Sequence, residues 1–195
     1  MKTKDLHSWN LSYRQAAALQ KRLAPKVRFI PFKKEPELIA GIDCAFSRDG
    51  EKIIAVAVVL KVSDFEIVET KSAVRDVAFP YIPGFLSFRE GPVCIAAVEK
   101  LKSRSDLFIV DGQGIAHPRR LGLAAHLGLF LDKPTVGCAK SRLTGTFEEP
   151  GVEKGSYSFL KDKKRKIHKE ALELQVTENE IIGAVVRTRT VSYTH

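Results

Sequence analysis

The chain has 195 residues, of which 44% are hydrophobic and 28% charged, with a formal net charge of +9. That length suits one domain with a sizeable apolar core. No run of 18 apolar residues occurs and the polar N-terminus lacks a signal-peptide centre, so we expect a cytoplasmic protein without a membrane span. The basic balance favours nucleic acid as a partner, although a merely soluble basic protein would carry the same charge.

The first half of the chain predicts one helix followed by an antiparallel meander of strands. Ser12 is a candidate N-cap for a helix over Ser12–Leu23, whose apolar side includes Ala16, Leu19, Gln20 and Leu23. Three runs then have the apolar or β-branched character of strands: Leu38–Asp43, Ile53–Val62 and Phe65–Val77.

The second half alternates helices with strands. Helices are predicted over Leu86–Lys102 and Leu121–Leu131, and strands over Leu107–Val110, Thr135–Cys138 and Glu180–Thr188. Short connections between strand, helix and strand imply parallel pairing with a right-handed crossover. The pattern alone therefore predicts an α/β fold with a mixed sheet.

Two other features have more than one interpretation. The cysteines, Cys44, Cys94 and Cys138, are odd in number and form no CxxC pair, so we expect buried reduced thiols, not a disulfide framework or zinc site. Lys161–Lys169 contains six basic residues and one acid. This run is interpreted either as a solvated face or as a patch that follows a nucleic-acid backbone.

Three acids occupy positions from which they could converge. Asp43 and Asp111 each end a predicted strand, while Glu90 lies among apolar residues, inside the helix or just before it if Pro92 begins the helix. Ligands gather outside the carboxyl ends of strands in such sheets. Clustered carboxylates repel one another unless a cation neutralises them, and hard oxygen ligands suit Mg²⁺ or Mn²⁺. Each acid alone would be explained as a turn former or cap.

Asp111 belongs to a glycine-rich stretch of eleven residues, Val110–Arg120. Its glycines permit close approach of a ligand to the backbone. His117, Arg119 and Arg120 offer donors to phosphate.

Three segments in this order resemble the signature of the endonuclease V (deoxyinosine 3′-endonuclease) family. They are Phe79–Glu90, the DGQG-to-HPRR stretch with Leu121–Gly122, and Pro134–Leu143. The similarity extends from about Trp9 to Arg189. It implies a ribonuclease H-like α/β fold, with a mixed β-sheet flanked by helices, in a single domain over residues 1–195.

The resemblance also implies roles for particular residues. Asp43, Glu90 and Asp111 would bind Mg²⁺, with Mn²⁺ as a substitute, and Lys140 would reach the phosphate near the cut. A wedge would enter the nucleic-acid double helix beside the deaminated base, and a pocket would hold the base once it is extruded. The wedge consists of Pro80, Tyr81, Ile82 and Pro83, and the pocket is lined by Gly84, Leu86, Gly112 and Gly114, with His117 as a further substrate-binding residue.

The implied reaction is hydrolysis of a phosphodiester on the 3′ side of a deaminated nucleotide, one nucleotide beyond it, in DNA repair. It leaves a 3′-hydroxyl and a 5′-phosphate. Deaminated DNA is the expected substrate, inosine-containing RNA is a further candidate, and we expect a monomer.

The chain departs from the family pattern at its C-terminal end. We find no match there to the family segment that supplies a further metal ligand and a helix against the sheet, and His195 is not taken as its replacement. The expectation is therefore a site one ligand short and a partly uncovered sheet face. One alternative is an inosine-binding protein with weak or no cleavage, and another is a structure-specific nuclease that ignores inosine.

Overall fold

A computed structural model describes residues 1–29 and 34–162 and the backbone of 181–186. The chain separates into two compact units, Met1–Leu143 and Thr144–His195. No helix in the described ranges is long and apolar enough to cross a membrane. The expectation of one domain over residues 1–195 stays a prediction.

The first unit is organised around a five-stranded mixed sheet in the order β3-β2-β1-β4-β5. Its strands are β1 (Leu38–Phe46), β2 (Lys52–Lys61), β3 (Ile67–Asp76), β4 (Leu107–Asp111) and β5 (Thr135–Cys138). Pairing is antiparallel from β1 to β2 and from β2 to β3, but parallel from β1 to β4 and from β4 to β5. The predicted meander and the parallel second half are both confirmed.

Three α-helices accompany the sheet: α1 (Tyr13–Leu23), α2 (Leu86–Glu99) and α3 (Leu123–Leu131). A short 3₁₀ turn, Ala24–Lys26, follows α1. Helix α1 begins with a capping box, in which the side chains of Ser12 and Gln15 each bind the backbone N–H of the other residue. Ser12 is therefore the N-cap, as predicted, and Ala16, Leu19, Gln20 and Leu23 are all buried.

Helices α2 and α3 pack on one face of the sheet. Alternate residues of β1 and β4, Ala40, Ile42, Phe108 and Val110, are buried against helix residues that include Val93, Val98, Ala124 and Leu127. On the opposite face, Val56, Val74 and Val136 are exposed. The main core therefore lies between the sheet and these two helices.

The structure decides between the two predictions for the start of α2. The helix begins at Leu86 and contains both Glu90 and Pro92, so the alternative in which Pro92 starts the helix is wrong. A proline in a helix removes one backbone hydrogen bond. Burial of Phe88, Val93 and Cys94 around it holds the helix together despite that loss.

The cysteine prediction holds only in part. All three thiols are free, and Cys94 is buried, but Cys44 is half-buried and Cys138 is exposed. Cys138 is the last residue of β5, where its side chain falls on the exposed side of the strand. The Cys44 and Cys94 sulfur atoms are 3.4 Å apart.

The second unit contains an antiparallel pair of strands, β6 (Tyr157–Lys161) and β7 (Ile181–Val186). Strand β7 confirms the predicted final strand, whereas β6 was not predicted. Residues 163–169 of the basic run lie outside the described ranges.

We predict that Gly91→Ala destabilises the protein by about 2 kcal/mol, because its Cβ would overpack the core. An added Cβ would lie 2.7 Å from Cη2 of Trp9, and the Trp9 ring is itself stacked on Phe130 with centroids 5.0 Å apart. Urea unfolding measures the change. Gly41→Ala is the matched control, since nothing lies within 4 Å of its added Cβ. Equal stability of the two variants would contradict the prediction.

A candidate acidic active site

Asp43 and Asp111 lie side by side on neighbouring parallel strands. Asp111 is the last residue of β4, but β1 continues to Phe46, so the prediction that Asp43 ends its strand is wrong. The β1–β4 register pairs Ile42 with Val110, so the two aspartates are the next residues on each strand. Asp43 is exposed and Asp111 is partly exposed. The Asp43 carboxylate accepts a hydrogen bond from the backbone N–H of Cys44 at 2.7 Å. Sheet register alone therefore brings these two acids together.

Glu90 adds a third carboxylate from α2. Its side chain is buried, and burial together with the negative charges of Asp111 and Asp43 raises its pKa from 4.5 to about 7. Among the described residues, none donates a hydrogen bond to this carboxylate, although the charge of Arg89 acts in the opposite direction. Glu90 is therefore an acid held near two others without a fixed positive partner.

Lys140 supplies positive charge at the edge of this group. Its ammonium Nζ lies 2.7 Å from Oδ2 of Asp111. The hydrogen bond to Asp111, with the charges of Asp111 and Asp43, raises the pKa of Lys140 above its usual range. The lysine side chain is 86% exposed, so it is free to move when another cation or a phosphate arrives.

The acids suit a hard divalent cation by charge and ligand type, but they do not form a closed cage. Within the described ranges, no three His, Cys, Asp or Glu side chains are grouped closely enough to hold a metal ion. Burial is the main cause of the raised pKa of Glu90, and the charges of Asp111 and Asp43 act in the same direction. Carboxylate oxygens with accompanying waters are the ligands that Mg²⁺ accepts.

The loop after β4 approaches its neighbours so closely that several positions must be glycine. A Cβ at Gly137 would lie 2.5 Å from the carbonyl oxygen of Gly112 and the nitrogen of Gly114. Gly112 itself has φ +150, and its added Cβ would lie 3.7 Å from Cδ2 of Leu86. Gly112 and Leu86, two of the residues assigned to a base pocket, are therefore neighbours in space.

Gln113 ties this loop to the segment that carries Lys140. Its side-chain Nε2 donates to the carbonyl of Ser141 at 2.7 Å, and its backbone carbonyl accepts from Ala124 at 3.0 Å. No role was predicted for Gln113. A single polar residue between glycines carried no periodic or charge signal that pointed to the contact.

The segment assigned as a wedge projects from the surface ahead of α2. Tyr81 is 69% exposed. Ile82 is half-buried against a second apolar cluster, which includes Phe79, Phe85 and Phe88. Backbone contacts hold the ends of the segment: Arg89 Nη1 donates to the Phe79 carbonyl at 3.2 Å, and Phe85 N–H donates to the Ile82 carbonyl at 2.9 Å. The tyrosine is thus carried on an anchored loop.

His117 and Arg119 have a different use from the phosphate contact expected from the sequence. His117 is buried, and its Nε2 donates to the Gly84 carbonyl at 2.9 Å. Arg119 donates from Nη2 to the same carbonyl at 2.7 Å and from Nε to Gln20 at 2.6 Å. These donors serve the backbone behind the wedge: His117 is buried, and the guanidinium of the partly exposed Arg119 donates to Gly84 and Gln20.

Acidic residues on neighbouring parallel strands of a mixed sheet, beside an exposed lysine, suit a phosphodiester hydrolase. The endonuclease V family profile matches residues 21–193. Endonuclease V of Methanothrix thermoacetophila is 45% identical over 190 residues, covering 97% of this chain and 77% of that protein. The corresponding protein of Dictyoglomus turgidum is 45% identical over 186 residues, covering 95% of this chain and 74% of that one. The chain belongs to the endonuclease V family.

Solved structures agree with this assignment. Endonuclease V of Bacillus subtilis matches with a TM-score of 0.82 at 29% identity, covering 97% of this chain and 77% of that one. The Ciona intestinalis protein, solved with a 24mer DNA containing an inosine followed by a ribo-adenosine, matches with a TM-score of 0.60 at 27% identity. That match covers 64% of this chain and 56% of the other. The fold is the ribonuclease H-like α/β fold that the sequence predicted, and the protein is a nuclease of a metal-dependent family.

We predict that Glu90→Gln stabilises the metal-free protein by about 2 kcal/mol at pH 8, because the buried glutamate is charged at that pH and glutamine is not. The folded pKa lies above the ordinary value, so between pH 4.5 and about 7 the folded protein retains a proton that the unfolded chain releases. Stability contributed by Glu90 is present at low pH and is lost as pH rises through this window. Glutamine does not ionise, so the Glu90→Gln variant does not lose stability as the pH rises through this window.

Urea unfolding of wild type and Glu90→Gln in a chelating buffer, at pH 5 and pH 8, measures the effect. The comparison at each pH cancels contributions from the histidines. Glu99→Gln, an exposed acid on the same helix, is the matched control and should change stability by no more than about 0.5 kcal/mol. A Glu90→Gln effect that is the same at both pH values would overturn the assignment of a raised pKa.

Proposed function

We propose that this protein hydrolyses the phosphodiester one nucleotide to the 3′ side of a deaminated base, using Asp43, Glu90, Asp111 and Lys140. The observation that carries the proposal is that Asp43 and Asp111 lie on neighbouring strands, with buried Glu90 near enough for both charges to add to the effect of burial on its pKa. A protein that only bound nucleic acid would gain nothing from gathering like charges. The retained acids therefore favour cleavage over the alternative of an inosine-binding protein.

Asp43, Glu90 and Asp111 would hold Mg²⁺, with Mn²⁺ as a substitute. When bound, the cation supplies Lewis-acid polarisation of the phosphodiester and activation of water. Its charge would also neutralise the three acids, which brings the pKa of Glu90 back toward its usual range. The cation is expected to stabilise the folded protein for the same reason.

Lys140 would exchange partners during this process. In the absence of other cations its ammonium pairs with Asp111 at 2.7 Å. A cation at Asp111 would weaken that pair, because the carboxylate charge is then shared. The released ammonium, on a segment held by Gln113, can contact a phosphate oxygen beside the acids and stabilise negative charge there.

Substrate selection would use the wedge and the glycine-rich loop. Tyr81 is exposed on a loop stiffened by Pro80 and Pro83, so its ring can fill the space left by an extruded base. Leu86, Gly84, Gly112 and Gly114 would accept the base, whose edge main-chain groups can read. The DNA containing inosine in the Ciona intestinalis structure supports a deaminated purine as the target.

The test is cleavage of a labelled duplex with one deoxyinosine, in Mg²⁺, beside an otherwise identical duplex with guanine. We predict a cut on the 3′ side of inosine alone, and a loss of at least about 10³-fold in rate for Asp43→Ala. Asp49→Ala is the matched control, because Asp49 is an exposed acid beyond the end of β1 that bonds only to its own turn. It should cleave like wild type.

Other outcomes would replace the proposal. Inosine-selective binding without a cut by wild type would establish the binding alternative. Equal cutting of branched, inosine-free DNA would establish a structure-specific nuclease. Repeating the assay with an inosine-containing RNA strand ranks the two substrates.

A further inference from the structure

The carbonyl oxygen of Gly84 accepts three side-chain hydrogen bonds. It accepts from Gln20 Nε2 at 3.0 Å, from His117 Nε2 at 2.9 Å and from Arg119 Nη2 at 2.7 Å. Gly84 has φ +80 and joins the wedge segment to α2. Three donors, one from α1 and two from the segment that contains His117 and Arg119, therefore converge on the residue that joins the wedge to α2.

Gln20 is the centre of this network and is completely buried in α1. Its Nε2 donates to the carbonyls of Gly84 and, at 3.1 Å, Leu121, while its Oε1 accepts from Arg119. The amide has only one orientation that satisfies these partners, because a guanidinium only donates and a carbonyl only accepts. A fixed side chain of this kind positions its partners accurately.

The orientation of His117 is determined in the same way. The backbone N–H of Arg119 donates to Nδ1 of His117 at 3.1 Å, so the proton of the neutral ring lies on Nε2, facing Gly84. Burial lowers the pKa of His117 to about 4, with the charges of Arg119 and Arg120 acting in the same direction. The ring is therefore a neutral donor at physiological pH.

Arg119 closes the network against an aromatic ring. Its guanidinium carbon lies 4.2 Å from the ring centroid of Phe85, the residue directly after Gly84. An added Cβ at Gly84 would lie 3.0 Å from Arg119 Nη2. The arginine thus packs closely on Gly84 and contacts both its carbonyl and the ring of the following residue.

We propose that Gln20 is a positioning residue for lesion recognition, which acts by holding the Gly84 carbonyl so that the wedge presents Tyr81 toward the nucleic acid. This inference rests on the proposed function and extends it to a helix that contributes no side chain to the acidic site. Gln20 and Arg119 are required to orient the loop, whereas Asp43, Glu90 and Asp111 are required for hydrolysis. Loss of the network should therefore raise KM for an inosine duplex and leave kcat nearly unchanged.

The test uses Gln20→Met, which keeps the volume and removes every hydrogen bond, and Gln20→Glu, which keeps an acceptor for Arg119 but no donor for Gly84. For both we expect KM to rise about tenfold, as for one lost buried hydrogen bond, with kcat within about twofold. Arg119→Lys should show the same separation, and it provides a partly exposed second position if changes at Gln20 prevent folding. If KM is raised in Gln20→Met but equals wild type in Gln20→Glu, the role of the Gly84 carbonyl is overturned and only the contact between Gln20 and Arg119 is required.

A spectroscopic measurement separates positioning from general damage. 2-Aminopurine next to inosine brightens when the base stack opens, and binding is followed in the Asp43→Ala background so that no cutting occurs. The increase should be lost in Gln20→Met and Arg119→Lys. The affinity of Gln20→Met for a lesion-free duplex should equal that of wild type, because this substitution changes no surface charge.

Ser12→Ala is the matched control, since it removes the N-cap of the same helix without touching Gln20. It should lower thermal stability but leave KM and the fluorescence increase unchanged. Wild-type KM and fluorescence in both Gln20→Met and Arg119→Lys would overturn the inference, even though wild type cleaves beside inosine. Failure of wild type to cleave would instead reject the proposed function.

Discussion

Repulsion among three carboxylates is the constraint around which this structure is organised. Parallel pairing of β1 with β4 sets Asp43 beside Asp111, and α2 brings Glu90 to them within a largely apolar environment. Separated acids would be more stable, so the fold has to supply enough packing energy elsewhere to keep them together. That energy comes from the apolar layer between the sheet and helices α2 and α3. Lys140 offsets part of this negative charge through its hydrogen bond to Asp111.

The second organising feature is the use of backbone carbonyls as anchoring points. Phe79 and Gly84, on either side of the wedge segment, each have a carbonyl held by arginine side chains, and Gly84 also by Gln20 and His117. Side chains at the tip remain exposed while the backbone at its base is fixed. Such a division lets Tyr81 meet a ligand without the entropy loss of ordering a mobile loop.

The sequence predicted most of the fold, because its signals were periodic. The strands of the meander, Ser12 as an N-cap and the buried side of α1 followed from hydrophobic spacing and capping chemistry. Glu90 inside α2 was left open, since a proline two residues later is compatible with either helix start and only tertiary packing decides. Strand β6 was missed because five residues carry too weak an alternation to separate from a loop.

The acids of the candidate site were also found from the sequence, whereas the groups that orient the loops were not. An acid directly after an apolar run, as at Asp43 and Asp111, is visible in the local sequence. Gln20 and Gln113 bond partners that are distant in the chain, so their roles depend on a fold that local patterns do not specify. His117 and Arg119 were assigned to phosphate for the same reason. Residue type indicates that a side chain can donate hydrogen bonds, but only the folded structure shows which groups accept them.

The register of β1 with β4 has a consequence for how the gene tolerates change. Side chains alternate between the two faces of a strand, so one codon inserted or deleted within β4 would turn Asp111 away from Asp43 and move Val110 out of the core. A substitution changes one side chain, but such a frame-preserving insertion reverses every side chain beyond it. Length variation among natural variants should therefore collect in the turns, such as residues 47–51, and be absent from the two strands that carry the aspartates.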